Sequence, residues 1–243
     1  MSVRKRAAHA PQTSSASPKV AVVTGASRGI GKATARALSA RGYAVALLAR
    51  SKAGIDALKK ELVAKGGRAV AIACDVSNDA RVQKAAKEVL ANLGIPDVVV
   101  NNAGIVKRAP VATQTNAIWD ETLATNLSGA FYVTRAFLPS MLRAKRGRFV
   151  QVASISSTLG TANMSAYCAS KWGLVGFTKA LAEELRGTKL VTMAILPGSV
   201  DTDMLVGSGF APAMTADDVA STIVYLGVDA PSSMNGSAVE MFG

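Results

Sequence analysis

V-A-V-V-T-G-A-S-R-G-I-G, residues 20–31, joins an apolar run of strand length to a turn with glycines at 25, 29 and 31, and a helical pattern follows through Ala40. Each glycine has its own physical use. Gly25 permits a tight turn, Gly29 lets the backbone come close to a pyrophosphate, and Gly31 allows helix and strand to pack closely, with the helix N-terminus facing the anion. Thr24, Ser27, Arg28 and Ile30 share the turn and are its other candidate cofactor contacts. The spacing is G-x-x-x-G-x-G, not the G-x-G-x-x-G of the usual dinucleotide fingerprint. A merely flexible turn would also use glycines, but strand, glycine turn and helix in succession favour a phosphate-binding role.

Outward from this stretch the same alternation continues. Short apolar runs at 44–48, 69–73, 98–100, 149–153 and 190–196 are separated by longer helical stretches, and a short last strand is expected near Ser237 to Met241. Strand, helix, strand repeats predict an α/β fold, a doubly wound parallel sheet of about seven strands with helices on both faces. The near-continuous apolar runs fit strands buried on both sides. With no tandem repeat and no internal linker, residues 19–243 form one expected domain. Residues 1–18 are rich in Ala, Ser and base with few large apolar residues, and are expected to be a disordered basic tail. That tail imitates an organelle transit peptide in composition but lacks the long amphipathic pattern of one.

Composition narrows the chemistry. The chain has 243 residues and a formal net charge of +12, yet aromatic residues are only 5 %, and no stacking platform or reading helix of a nucleic-acid binder is visible. No apolar run approaches the roughly 20 residues of a membrane span. Two cysteines, Cys74 and Cys168, stand far apart without ligand spacing, which fits a reducing, cytoplasmic location and gives no metal site. The only histidine is His9, in the tail, so the folded part has no imidazole for a serine–histidine triad.

Tyr167-x-x-x-Lys171 lies in the stretch from Ser154 to Lys171. On a helix, i and i+4 share a face, so phenol and ammonium point the same way. A tyrosine with a pKa of about 10 is a poor acid or base at neutral pH, and a neighbouring cation favours its phenolate. A shift of roughly 3 units needs about 4 kcal/mol, more than one exposed lysine supplies, so burial and a second positive charge would have to contribute. At the end of the second strand, Ala49-Arg50-Ser51 carries no acid for a ribose 2′-hydroxyl. Arg50 and Arg28 instead offer guanidinium groups to a 2′-phosphate, which favours NADP(H) and leaves NAD(H) possible.

Taken together these stretches resemble the short-chain dehydrogenase/reductase family, nearest to its 3-oxoacyl-carrier-protein reductase-like branch, and imply a Rossmann-like fold. Thr24 to Gly31 resembles the family's T-G-x-x-x-G-x-G, Asp75-Val76 the pair that meets the adenine ring, and Asn101-Asn102-Ala103-Gly104 its N-N-A-G. Asn126 in T-N-L-S-G, Ser154 thirteen positions before Tyr167, and Pro197-Gly198 with Val200 and Thr202 complete the match from Lys19 to about Ser199. The resemblance implies that Tyr167 donates a proton to a carbonyl oxygen, Ser154 holds that oxygen, and Lys171 bonds the nicotinamide ribose and lowers the tyrosine pKa. Asn126 would anchor a water linking the lysine to solvent. Pro197, Gly198, Val200 and Thr202 would cover the nicotinamide.

The implied activity is NADPH-dependent reduction of a ketone or 3-oxoacyl group on a small-molecule or carrier-linked substrate, by a homodimer or homotetramer. Oxidation of a secondary alcohol, steroid or sugar, and a non-catalytic NADP-sensing or scaffolding role, stay open beside it. Substrate choice is expected in residues 105–115 (with Lys107 and Arg108), in 156–164, and in a short lid at 203–214 followed by a helix capped by Thr215. Trp119 and Trp172 read as packing residues. Arg143, Lys145, Arg146 and Arg148 read as a solvated helix end or as a dock for an acidic carrier. Val239-Glu240-Met241-Phe242-Gly243 departs from the family's usual ending.

Overall fold

The apolar runs become seven strands, β1 Val20–Thr24, β2 Ala44–Ala49, β3 Ala69–Ala73, β4 Val98–Asn101, β5 Gly147–Val152, β6 Leu190–Pro197 and β7 Ala238–Met241. Between them lie α1 Gly29–Ala40, α2 Lys52–Ala64, α3 Asp79–Asn92, α4 Asn116–Leu123, α5 Gly129–Ala144, α6 Ser165–Glu184 and α7 Ala216–Val224. The computed structural model describes residues 18–243; the tail expected at 1–18, with His9, otherwise falls outside the described residues.

The strands form one parallel sheet in the order β3-β2-β1-β4-β5-β6-β7. Every residue of β1, β2 and β6 is buried, as strands covered on both faces must be, whereas the edge strands β3 and β7 are partly open. Two cores separate the faces. On one side Leu38 of α1, Leu58 of α2 and Ile223 of α7 pack on Val23, Val45 and Val100. On the other, Val89 of α3, Phe137 of α5 and Leu181 of α6 pack on Val22, Val99 and Phe149. The sheet is therefore doubly wound in a Rossmann-like manner, as the alternation predicts.

Local chemistry explains where the helices begin. Ser51, Asn78 and Thr115 accept hydrogen bonds from backbone N–H groups in the first turns of α2, α3 and α4, and Thr215 forms a reciprocal capping box with Asp218 on α7. Asp97, just before β4, accepts from the Val20 N–H at 2.9 Å and pairs with Arg146 at 2.8 Å. Arg148 donates to the carbonyls of Leu226 and Ala230. Arg146 and Arg148 of the basic group at 143–148 thus tie strand starts to neighbouring elements, while Arg143 and Lys145 stay exposed.

Trp119 and Trp172 are only partly covered within this chain, at 39 % and 54 % exposed on α4 and α6. Among the described residues no helix is long and apolar enough to cross a membrane.

Strand order reverses between β1 and β4, which opens a crevice at their carboxyl ends. Its walls depend on Gly31. A Cβ there would lie 2.4 Å from the Gly25 carbonyl oxygen and 2.5 Å from Nδ2 of Asn102, closer than real atoms approach. We expect Gly31→Ala to lower the unfolding free energy by about 1–3 kcal/mol, since α1 must move off the turn; urea denaturation measures it, and an unchanged midpoint would refute this account of the packing.

Candidate active site

The crevice encloses about 600 Å³. Gly25, Ser27, Arg28, Gly29 and Ile30 form one bank, Asp75 and Val76 the floor toward β3, and Asn102, Ala103 and Gly104 the bank after β4. Arg50 lies at one end and Thr202 reaches in from the lid. Gly25 and Gly29 have φ of 65° and 51°, the left-handed region that a side chain resists. A Cβ on Gly29 would stand 3.2 Å from Cγ2 of Thr202, so the glycine turn and the lid nearly touch across the opening.

Thr24 and Gly31 are placed behind this surface. Thr24 is buried, and its hydroxyl donates to the Val100 carbonyl while accepting from the N–H groups of Asn102 and Ala103 at 3.0 Å. Asn102 returns a hydrogen bond to the Thr24 carbonyl at 2.9 Å. Both residues therefore hold the two banks together. Pro197, Gly198 and Val200 also stand behind the crevice. The Gly198 N–H donates to the Met241 carbonyl at 2.8 Å, so the unusual C-terminal sequence, as β7, backs the P-G segment. Asp75 is fixed by the Ser77 N–H and hydroxyl, and Val76 packs where α5 begins, opposite Gly129.

The four residues expected to do chemistry come from three elements, and two of them, Asn126 and Lys171, stand beside Gly104 of the crevice wall. Ser154 follows β5, Tyr167 and Lys171 sit one turn apart on α6, and Asn126 lies in a π-helical turn, Ala124–Ser128, between α4 and α5. All four are buried. A Cβ on Gly104 would lie 3.4 Å from Oδ1 of Asn126 and 3.6 Å from Nζ of Lys171, which puts the glycine between them and the crevice. The extra residue of the π turn is the kind of local irregularity that helices adopt at functional sites. Asn126 accepts from the Ile105 N–H at 2.8 Å, and its Nδ2 donates to the Ile105 carbonyl and to the Ser170 hydroxyl. It thereby clamps the loop after β4.

The electrostatics are set mainly by loss of water. Nζ of Lys171 donates to the Val152 carbonyl at 2.7 Å, but burial draws its pKa down to about 8. Burial pushes the Tyr167 phenol up from its ordinary value, while hydrogen bonding with Ser154 and the more distant charge of Arg108 work the other way. Lys171 is 5.7 Å from the centre of the tyrosine ring. In the chain alone, burial therefore outweighs the groups that would lower the phenol's pKa.

Arg28 lines the crevice and is already engaged there. Its guanidinium bonds Oδ2 of Asp203 at 2.8 Å, on the lid, while Arg50 has no ion-pair partner among the described residues. Lys107 pairs with Glu121, and Arg108 donates to the Met204 carbonyl at 3.2 Å. Sequence reasoning missed Ser51, Gly54, Cys74, Thr125 and Asp201, which also line the crevice. The cap at Ser51 was a usable signal, because it turns the N-terminus of α2 toward the same space.

A nicotinamide dinucleotide fits these residues. The glycine turn leaves room where a Cβ would intrude, and the unpaired N–H groups at the start of α1 face the crevice with no acidic residue in the first turn. A glycine-turn crevice at the switch point of a parallel sheet, adjoined by buried serine, tyrosine and lysine, defines the class of dinucleotide-dependent oxidoreductases. Within that class the chain belongs to the short-chain dehydrogenase family, whose model, described as short chain dehydrogenase, matches residues 19–209. It is an NAD(P)-dependent oxidoreductase.

Similar proteins include a 3-oxoacyl-[acyl-carrier-protein] reductase of Synechocystis sp., 37 % identical over 221 residues, covering 87 % of this chain and 90 % of that protein. A D-threitol dehydrogenase of Mycolicibacterium smegmatis is also 37 % identical, over 238 residues, covering 93 % of this chain and 92 % of that one. A 3-oxoacyl-[acyl-carrier-protein] reductase of Pseudomonas aeruginosa is 33 % identical over 237 residues, covering 93 % and 96 %.

The buried ammonium makes stability depend on pH. Lys171 binds its proton more weakly folded than unfolded, so its contribution to stability improves as pH rises from about 8 toward the ordinary lysine value of 10.5. Lys171→Met should raise the unfolding free energy by about 1–3 kcal/mol at pH 7, after loss of the bond to Val152, and the gain should fade by about pH 10.5. Urea titrations at the two pH values decide it; a gain that does not change with pH would mean that the lysine is not desolvated.

Proposed function

We propose that this protein reduces an apolar ketone or 3-oxoacyl substrate to a secondary alcohol with NADPH, with Tyr167 as proton donor. The supporting observation is the burial of Ser154, Tyr167 and Lys171, with Nζ of Lys171 5.7 Å from the centre of the tyrosine ring and next to Gly104 of the crevice wall. When bound, the cofactor supplies the hydride. The turn from Thr24 to Gly31, with Asp75, Val76 and Asn102 to Gly104, would hold it, while Pro197, Gly198, Val200 and Thr202 would cover its reactive ring. Tyr167 transfers its hydroxyl proton to the carbonyl oxygen as charge develops there. Ser154 donates a second hydrogen bond that orients the same oxygen without titrating. Lys171 holds a positive charge beside the phenol and favours the phenolate left behind. Asn126 keeps the Ile105 backbone in place next to the lysine.

Arg50 supports NADP(H) over NAD(H). It is exposed at the end of β2 with no acid beside it and no ion pair among the described residues, available to a 2′-phosphate. For the substrate, the relatives offer two readings, since one is named for a 3-oxoacyl thioester and another for a polyol. The surface around the mouth favours the first. Residues 105–115, 156–164 and the lid are joined by the Ala109 N–H to the Asn163 carbonyl and by Arg108 to Met204. These three segments expose Val111, Leu159, Val206 and Phe210, a rim suited to an acyl chain and not to a polyol.

In this reading residues 19–243 are the catalytic domain with its lid at 203–214, the two free thiols fit a cytoplasmic setting, and exposed Arg143 and Lys145 can meet an acidic carrier. Trp119, Phe131 and Trp172 on α4, α5 and α6 are exposed aromatic surface for a second copy of the chain in a homodimer or homotetramer.

Tyr167→Phe should lower kcat with NADPH and an acetoacetyl thioester by about 10²–10⁴-fold while leaving NADPH affinity within about threefold. Steady-state rates and cofactor fluorescence check both halves. Retained turnover would exclude the tyrosine as proton donor, and faster turnover of polyols with NADP than of thioesters with NADPH would favour the dehydrogenase reading.

A further inference from the structure

Two arginines fasten the lid across the crevice from opposite banks. From the glycine turn, Arg28 reaches Asp203 at 2.8 Å, and from the loop after β4, Arg108 reaches the Met204 carbonyl at 3.2 Å. Thr202, just before them, leans on Gly29. The Arg28 and Asp203 side chains are 75 % and 71 % exposed, so the pair is weak and easily exchanged for another anion. Arg28 is also one of two cations that the sequence offers to a ribose 2′-phosphate, Arg50 being the other. A guanidinium fork that engages one carboxylate oxygen cannot at the same time turn fully to a phosphate.

We propose that Asp203 is a specificity-determining residue for the cofactor: its carboxylate competes with the 2′-phosphate for Arg28, and so sets how strongly the phosphorylated dinucleotide is favoured. The proposal rests on the NADP reading above. A 2′-phosphate gains Arg28 only by parting it from the lid, whereas a dinucleotide without that phosphate leaves the Arg28–Asp203 pair in place. Discrimination is thereby linked to the lid, with Arg108 as its remaining fastening when Arg28 lets go. The competition is purely ionic and needs no change in the glycine turn, because Arg28 is the N-cap of α1 and its side chain alone moves.

The test is equilibrium binding of NADPH, NADH, 2′,5′-ADP and 5′-AMP to the full chain and its variants. Asp203→Asn removes the charge and keeps the shape. It should tighten NADPH and 2′,5′-ADP by about 3–10-fold, and leave NADH and 5′-AMP within about twofold. Asp203→Glu, which keeps the carboxylate, should retain the wild-type ratio, and Arg28→Met combined with Asp203→Asn should abolish the gain. An equal change for phosphorylated and unphosphorylated ligands would show a lid effect without competition, and weaker or unchanged 2′,5′-ADP binding would likewise overturn the proposal. The two fragments carry no nicotinamide, so they report on this end of the site apart from catalysis. A wild type that binds NADH more tightly than NADPH would instead refute the cofactor preference, whatever ratio change Asp203→Asn produces.

Discussion

The contact on which the rest depends is the junction of β1 and β4, at the point where the strand order of the parallel sheet reverses. Thr24 and Asn102 exchange backbone and side-chain hydrogen bonds across it, and Gly31 brings α1 down onto the same spot because it has no side chain to hold the helix away. Every wall of the crevice is registered from there. The glycine turn leaves on one side and Ala103-Gly104 on the other, and Gly104 leads to Asn126 and Lys171. The same hydrogen bonds satisfy buried polar groups that a cleft between diverging strands would otherwise leave unpaired. Binding architecture and fold stability are thus the same set of bonds.

The reactive end follows a different principle. A tyrosine and a lysine are placed where water does not reach them, and both are moved by that burial in the direction of their neutral forms. The lysine donates to a strand carbonyl, and the phenol faces a serine. Such a group is poised to respond to a charge brought in from outside, because in a dry site a newly arrived charge is felt more strongly than in water. The positive charge that a nicotinamide ring acquires on giving up hydride is of the kind that favours a phenolate in such a site.

Much of this was legible in the sequence because it is local. Strands buried on both faces leave unbroken apolar runs, the glycine turn adjoins its helix, and Tyr167 and Lys171 share a helical face. Thr215 is an N-cap that three residues suffice to recognise. What escaped is non-local. Arg28 and Asp203 are 175 positions apart, and nothing near either shows that the guanidinium turns to the lid. Thr24 reads as a cofactor contact in a motif, yet its hydroxyl is spent on the opposite bank. The π turn that carries Asn126 has no signal in A-T-N-L-S, since one extra residue per turn is settled by how α4 and α5 pack. Tryptophans are ordinarily buried, so the exposure of Trp119 and Trp172 is visible only once the helices have been placed.

The excess positive charge acquires a meaning from the same geometry. Many of the acids are already committed: Glu61 to Arg36 and Lys65, Asp79 to Arg135, Asp97 to Arg146, Glu183 to Arg186 and Asp229 to Arg41. These exposed pairs contribute little stability individually, but they cancel charge locally and leave the remaining lysines and arginines to set the field. The same holds at the crevice, where the Arg28–Asp203 pair stands at the opening itself and neutralises the cation nearest the glycine turn. A dianionic or trianionic ligand drawn by the overall field therefore meets, at the last step, a guanidinium that must change partners. Long-range attraction is general to any anion, whereas that exchange depends on how well the anion replaces one carboxylate, which is where a basic protein can still discriminate.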